Sequence, residues 1–121
     1  EVPNDFNPLQ EVAVHVQKMK RWWIALPDHL NYFSIQSLSS FIQQMGFSVV
    51  LETTDFPIEC FLVWGENYVE NPTVGKQMHE RRVRFQEGMR QAGKGELLNQ
   101  FYEALAQIGM GRSAIVCARK E

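Results

Sequence analysis

Few residues in this chain have side chains and neighbours suited to chemistry, and His29 stands out among them. It lies in Pro27-Asp28-His29-Leu30-Asn31-Tyr32-Phe33-Ser34. An imidazole changes charge near physiological pH, so His29 is a candidate general base, with ordering of its loop through backbone hydrogen bonds as the alternative role. Asn4 and Asp5 can position a polar substrate, or they can simply shape a turn after Val2-Pro3. Trp22, Trp23, Tyr32 and Phe33 can wall an apolar pocket or belong to the core. His79, Arg81 and Arg82 offer an anion site or the solvated face of a charged helix. The candidate catalytic residue is therefore His29, and the candidate substrate-contacting set is Asn4, Asp5, Trp23, His29 and Tyr32. His15, His29 and His79 lack ligand-like spacing, so no metal is expected, and no nucleophile motif supports Ser-His-Asp hydrolysis.

The elements that must hold these residues are organised around Pro27 to Leu51. Ser34 suits an N-cap, with Phe33 before it able to pack on Leu38, so a helix is expected from about residue 35. Ile35, Leu38, Phe41, Ile42 and Met45 fall at helical spacing on a face that should be buried. Gly46 can end that helix in the left-handed conformation and deliver the chain to a strand over 47–54. Upstream, Pro8 and the stripe Leu9, Val12, Ala13, Val16 and Met19 predict a first helix, followed by a packed loop through Trp22-Trp23. Downstream, Pro57 near a helix start, the long charged segment 72–92 and the amphipathic segment 96–108 predict three more helices. The apolar run 113–118 reads as a strand buried on both faces, and Glu1-Val2 as a third strand stub. So little sheet beside so many helices leaves edges open, and an isolated chain is expected to dimerise or exchange strands there.

With 121 residues, 45% of them hydrophobic, the chain is of single-domain size. A net charge of −2 offers no general attraction to nucleic acid or anionic membrane. No apolar run approaches the roughly 18 residues of a membrane span. Cys60 and Cys117, each among apolar neighbours, read as reduced core thiols, which fits a soluble cytoplasmic protein. The opening Glu1-Val2-Pro3-Asn4-Asp5 has neither an initiator Met nor the features of a signal peptide, and it reads as starting inside a longer protein.

Several stretches together carry a resemblance: Val2 through Gln10, Trp22-Trp23, Pro27 through Ser34, Ser37-Leu38 and Gly46-Phe47. It continues through Asp55-Phe56-Pro57, Gly65 through Val69, His79 through Arg82 and Gly111-Arg112-Ser113. In these the chain resembles the C-terminal half of a class I S-adenosylmethionine-dependent methyltransferase. The resemblance implies an α/β fold comprising the end of strand 5, strand 6 at 47–54, a helical insert, and strand 7 at 113–118 inserted antiparallel between the other two. Residues 1–121 would then form a single partial domain lacking the cofactor-binding half, whose glycine-rich turn and ribose-binding carboxylate lie on earlier strands. Gly109-x-Gly111 precedes a strand instead of following one, and reads as a helix stop.

On the same resemblance, His29, Asn4 and Asp5 sit at the carboxyl edge of the sheet, where open α/β folds bind ligands. The parent protein would use S-adenosylmethionine to methylate an unidentified, small-molecule acceptor. The fragment alone would be inactive, bind no cofactor, and require the upstream half of its own protein. A non-catalytic binding or assembly module that keeps the half-fold is the alternative.

Overall fold

The local signals around residue 34 act as the sequence dictates. In the computed structural model, which describes residues 1–121, Ser34 Oγ accepts the Ser37 N–H at 3.1 Å while Ser37 Oγ accepts the Ser34 N–H at 2.9 Å. This reciprocal cap starts helix α2, Ile35–Gln44. Gly46, at φ +85°, then turns the chain into strand β2, Phe47–Thr53. Helix α1, Pro8–Gln17, is capped in the same way by Asn7 and Gln10, a pairing unnoticed in the sequence, with Pro8 in its first turn.

Three further helices follow: α3 (Glu59–Val63), α4 (Pro72–Gln91) and α5 (Gly95–Gln107). Strand β3, Ser113–Lys120, returns through the middle of a three-stranded sheet ordered β1-β3-β2, in which β1 is only Val2–Pro3. Both pairings of β3 are antiparallel, as expected. The chain is thus mixed α/β, with a small open antiparallel sheet and five helices. None of the helices is long and apolar enough to cross a membrane.

Two small cores hold these elements together. Phe56, Phe61, Met78, Leu98 and Tyr102 join α3, α4 and α5, while Ile35, Leu38, Ala106 and Ala114 join α2 and α5 to the sheet. Helix α5 contributes to both, so it ties the helical insert to the strands. Burial of these apolar groups is the main favourable term, at about 25 cal/mol per Å² removed from water.

Three expectations about burial need correction. Strand β3 is buried only at its start: β1 pairs with Ser113 and Ala114 alone, so the side of β3 away from β2 is open beyond them, and Cys117 to Lys120 are exposed. Helix α2 buries Ile35 and Leu38, but Phe41 and Met45 are 49% and 63% exposed because the narrowed sheet has nothing to lay over them. Phe33 packs beside Phe41, with ring centroids 5.8 Å apart, and joins the cluster around Ile35 and Leu38. Both thiols are free, but neither is in the core: Cys60 is half-buried and Cys117 exposed. Partial burial and then the nearby Glu59 charge push the Cys60 thiol up to about 11, which keeps it protonated and unreactive at neutral pH.

Candidate functional site

At the end of β1, the chain does three things in three consecutive residues. Asn4 turns inward and is fully buried, donating through Nδ2 to the carbonyls of Gly109 (3.0 Å) and Gly111 (2.9 Å). Asp5 turns the other way, and its N–H donates to Phe33 O at 2.9 Å, tying the exit of β1 to the entrance of α2. Phe6 then takes a left-handed φ of +57°, uncommon for a bulky residue. Its ring meets Trp23 and Tyr32 edge-on, at 5.5 and 6.0 Å. The strained turn therefore carries the aromatic cluster that closes one side of a cavity.

That cavity has a volume of about 520 Å³, within the range of small-molecule sites. It brings together four of the five sequence candidates, Asp5, Trp23, His29 and Tyr32. Asn4 is not among its lining residues, because its amide braces the Gly109–Gly111 turn. Asn4 thus has a structural role here, the other of the two roles open for it in sequence.

His29 is exposed at the cavity. Its loop is held by Tyr32, whose hydroxyl donates to His29 O (3.1 Å) and accepts from Ala25 N–H (3.0 Å), and by the His29 N–H bond to Ala25 O at 2.8 Å. None of these bonds uses the His29 ring. The loop-ordering role therefore falls to Tyr32 and the backbone, which leaves the imidazole available to a ligand.

The cavity also recruits residues that sequence reasoning passed over. Glu59 opens α3 and is 3% exposed. Its Oε1 accepts from Asn7 Nδ2 at 3.3 Å, whereas its Oε2 is buried with no partner. Burial raises the Glu59 carboxyl above its ordinary value, with the backbone, Asn7 and Arg112 opposing the rise. Burial likewise raises Asp5, against the pull of Gln10 and His29. The Tyr68 phenol is driven higher by burial and then by the Glu59 charge. Trp23 Nε1 is a second buried polar atom without a partner.

One sequence signal for Glu59 existed: it is a lone carboxylate inside the apolar run Phe56-Pro57-Ile58-Glu59-Cys60-Phe61-Leu62, where a charge is costly unless it has a use. Tyr68 and Arg112 had no such signal, because only the fold carries their distant segments to one place, whereas His79 was already a candidate ligand-binding residue in the sequence.

The cluster His79, Arg81 and Arg82 splits. His79 lines the cavity, and its Nδ1 lies 3.0 Å from the Arg82 guanidinium. Arg82 is mostly buried beside Asp55, at 3.9 Å. Arg81 alone behaves as a solvated side chain, paired with Glu66 at 3.5 Å.

Cofactor chemistry has less to work with. No group of three His, Cys, Asp or Glu side chains is placed to hold a metal ion. The Gly109–Gly111 turn leaves no room for the backbone-to-ligand approach of a glycine-rich cofactor loop. A Cβ at Gly111, where φ is +100°, would fall 2.0 Å from Thr54 Oγ1, and one at Gly109 would meet Gln36 at 3.4 Å. Both glycines pack against protein, so the space a ligand backbone would need is filled. What the arrangement can do by itself is enclose a small molecule among aromatic rings, two desolvated carboxyls and an available imidazole. No protein-family model, no curated protein and no solved structure matches the chain.

Proposed function

We propose that this chain is the substrate-side, C-terminal portion of an S-adenosylmethionine-dependent methyltransferase, acting on a small-molecule acceptor. The observation that carries this reading is the convergence of Asp5, Trp23, His29 and Tyr32 on one cavity where β1 ends. A β3 strand running antiparallel between β1 and β2 is consistent with it. In this reading His29 is the base at the acceptor and the aromatic walls exclude water, while every cofactor contact comes from the upstream half of the protein.

The test compares two lengths of protein by calorimetric titration with S-adenosylmethionine. A protein that includes the upstream half should bind at micromolar concentration and transfer methyl groups. The 121-residue chain should bind at least about 100-fold more weakly, at sub-millimolar concentration or worse, because two or three charge-assisted hydrogen bonds of roughly 1.5–3 kcal/mol each are lost. Micromolar binding by the short chain, or none by the longer protein, overturns the proposal.

One observation favours a second reading, a binding or assembly module. Beyond Ala114, β3 offers an unpaired edge, and beside it lies a groove lined only by Phe41, Ile42, Met45, Phe47, Val116 and Ala118. An open edge and an apolar face together favour association with another strand or a second copy of the chain. A sedimentation series that finds a monomer at high concentration removes the second-copy form of this reading.

A further inference from the structure

The least expected group in the cavity is Glu59. A carboxylate 97% removed from solvent ordinarily has a cation or a full set of donors around it, since burying an unpaired charge is among the most costly arrangements in a protein. Here the carboxyl has only the Asn7 Nδ2 amide, on Oε1, and a backbone N–H to favour its charge, and Oε2 has no hydrogen-bond partner. No Lys, Arg or His nitrogen lies within 4.0 Å of either oxygen. Arg112, the closest thing to a counter-charge, is exposed and acts on Glu59 only at longer range.

The surroundings indicate what the missing partner is. The lining carries two carboxyls, Asp5 and Glu59, against one guanidinium, Arg112, so acidic groups outnumber the permanently charged base. Four aromatic side chains, Trp22, Trp23, Tyr32 and Tyr68, share the same walls. Desolvated carboxylates among aromatic faces form the environment that attracts ammonium groups, through ion pairing and the negative face of the rings. An anion would gain Arg112 but would be repelled by both carboxylates. Trp23 Nε1–H, buried and unpaired, adds a donor for an acceptor atom on the same molecule.

We propose that the cavity recognises an amine on an aromatic or apolar body, with Glu59 Oε2 receiving its ammonium N–H and Trp23 Nε1–H bonding an oxygen or nitrogen acceptor of that molecule. Glu59 is then a binding residue, and the acceptor of the proposed methyltransferase is a molecule that carries an amine as its anchor, the ammonium itself having no lone pair to receive a methyl group. This rests on the cavity being the acceptor pocket, yet it is tested without any cofactor. Failure of a longer protein to bind S-adenosylmethionine would leave amine binding standing. Failure of amine binding would leave methyl transfer standing with another class of acceptor.

The experiment titrates the uniformly ¹⁵N-labelled chain with phenethylamine, and in parallel with 3-phenylpropionate, its anionic counterpart. The readout is the indole N–H resonances, with Trp23 assigned from the signal lost in Trp23→Phe. Phenethylamine should shift the Trp23 signal and bind at least 10-fold more tightly than the acid. Glu59→Gln, nearly isosteric, should lower phenethylamine affinity at least 10-fold while preserving the dispersion of the spectrum. Should Glu59→Gln fail to fold, Arg112→Gln at the exposed rim decides: it should leave amine affinity unchanged or raise it. Equal binding of amine and acid, unchanged affinity in Glu59→Gln, or loss of amine binding in Arg112→Gln would overturn the assignment.

Discussion

Two concave surfaces of this protein lie toward opposite ends of β3 and differ in how they treat polar atoms. Near Arg112 and Ser113, the cavity holds a buried carboxylate with an unpartnered oxygen, an unpartnered indole N–H and a left-handed phenylalanine at its margin. Near Val116 and Ala118, the groove holds only apolar side chains, and the exposure of Phe41 and Met45 follows simply from a sheet too narrow to cover them. The groove costs the folded chain little beyond unburied apolar area. The cavity retains backbone strain and two unpaired polar atoms, Glu59 Oε2 and Trp23 Nε1, as expected of a binding site, although Asn4 Oδ1 and Arg82 Nε are also unpaired outside its lining. A stability cost, more than shape or volume, separates the two.

The sharpest way to break that contrast is at His29. In a protein that includes the upstream half, His29→Ala should lower methyl transfer by roughly 10²-fold or more, the usual loss when a general base is removed. Cofactor affinity and thermal stability should barely change, as His29 is exposed and its loop is held by Tyr32 and the backbone. Unchanged turnover in that variant would reduce the imidazole to a bystander.

Asn4→Ala tests the framework behind the cavity. It removes both donors to the Gly109 and Gly111 carbonyls from a fully buried position, so chemical denaturation should show a loss of about 2–3 kcal/mol. A loss below about 0.5 kcal/mol, typical of a surface change, would mean the brace is dispensable.

Glu59→Gln should act in the opposite direction. Burial raises the folded-state carboxyl above its ordinary value of 4.5, so the folded protein holds that proton more readily than the unfolded chain does. Its contribution to stability is therefore full below pH 4.5 and declines as pH rises through the raised folded-state value. Glu59→Gln should remove this part of the decline and be more stable than the parent at pH 7 by on the order of 1 kcal/mol. Equal stability curves from pH 4 to pH 8 would show that Glu59 carries no such cost. In the groove, Met45→Gln should change stability by less than about 0.5 kcal/mol and leave the cavity's ligand affinity untouched, since the side chain is 63% exposed. A larger loss would make the groove part of the core.

Much of the fold was legible from local chemistry. Ser34 and Gly46 bracket α2, Pro72 and Gly93 bracket α4, and the apolar run after Gly111 is a strand, because caps and glycine turns act within a few residues. Burial was less legible, since it depends on which elements meet: Ile115 and Phe41 look like core residues in sequence and fail to be buried only because β1 is two residues long. The site divided along the same line. Asp5, Trp23, His29 and Tyr32 were grouped through the resemblance, which puts the exit of β1 and the loop before α2 at one edge of the sheet, and all four line one cavity. Tyr68, His79 and Arg112 reach that cavity from the loop between α3 and α4, from α4 and from the turn just before β3, and no spacing rule connects segments that far apart. Glu59 is the exception, a distant residue whose oddness in an apolar run was visible in the sequence.

The uneven pairing of β3 also sets a clock on its amides. Successive N–H groups along a strand point to alternate sides, so from Ile115 to Lys120 every second amide faces β2 while the others face the side that β1 leaves unpaired. In deuterated water the strand should exchange in an odd-even rhythm, with protected and unprotected amides interleaved residue by residue. Any strand that docks along the open edge would slow the fast set alone. The amides of β3 thus form a built-in recorder of partnership, one that distinguishes an occupied edge from an occupied cavity without a label on either partner.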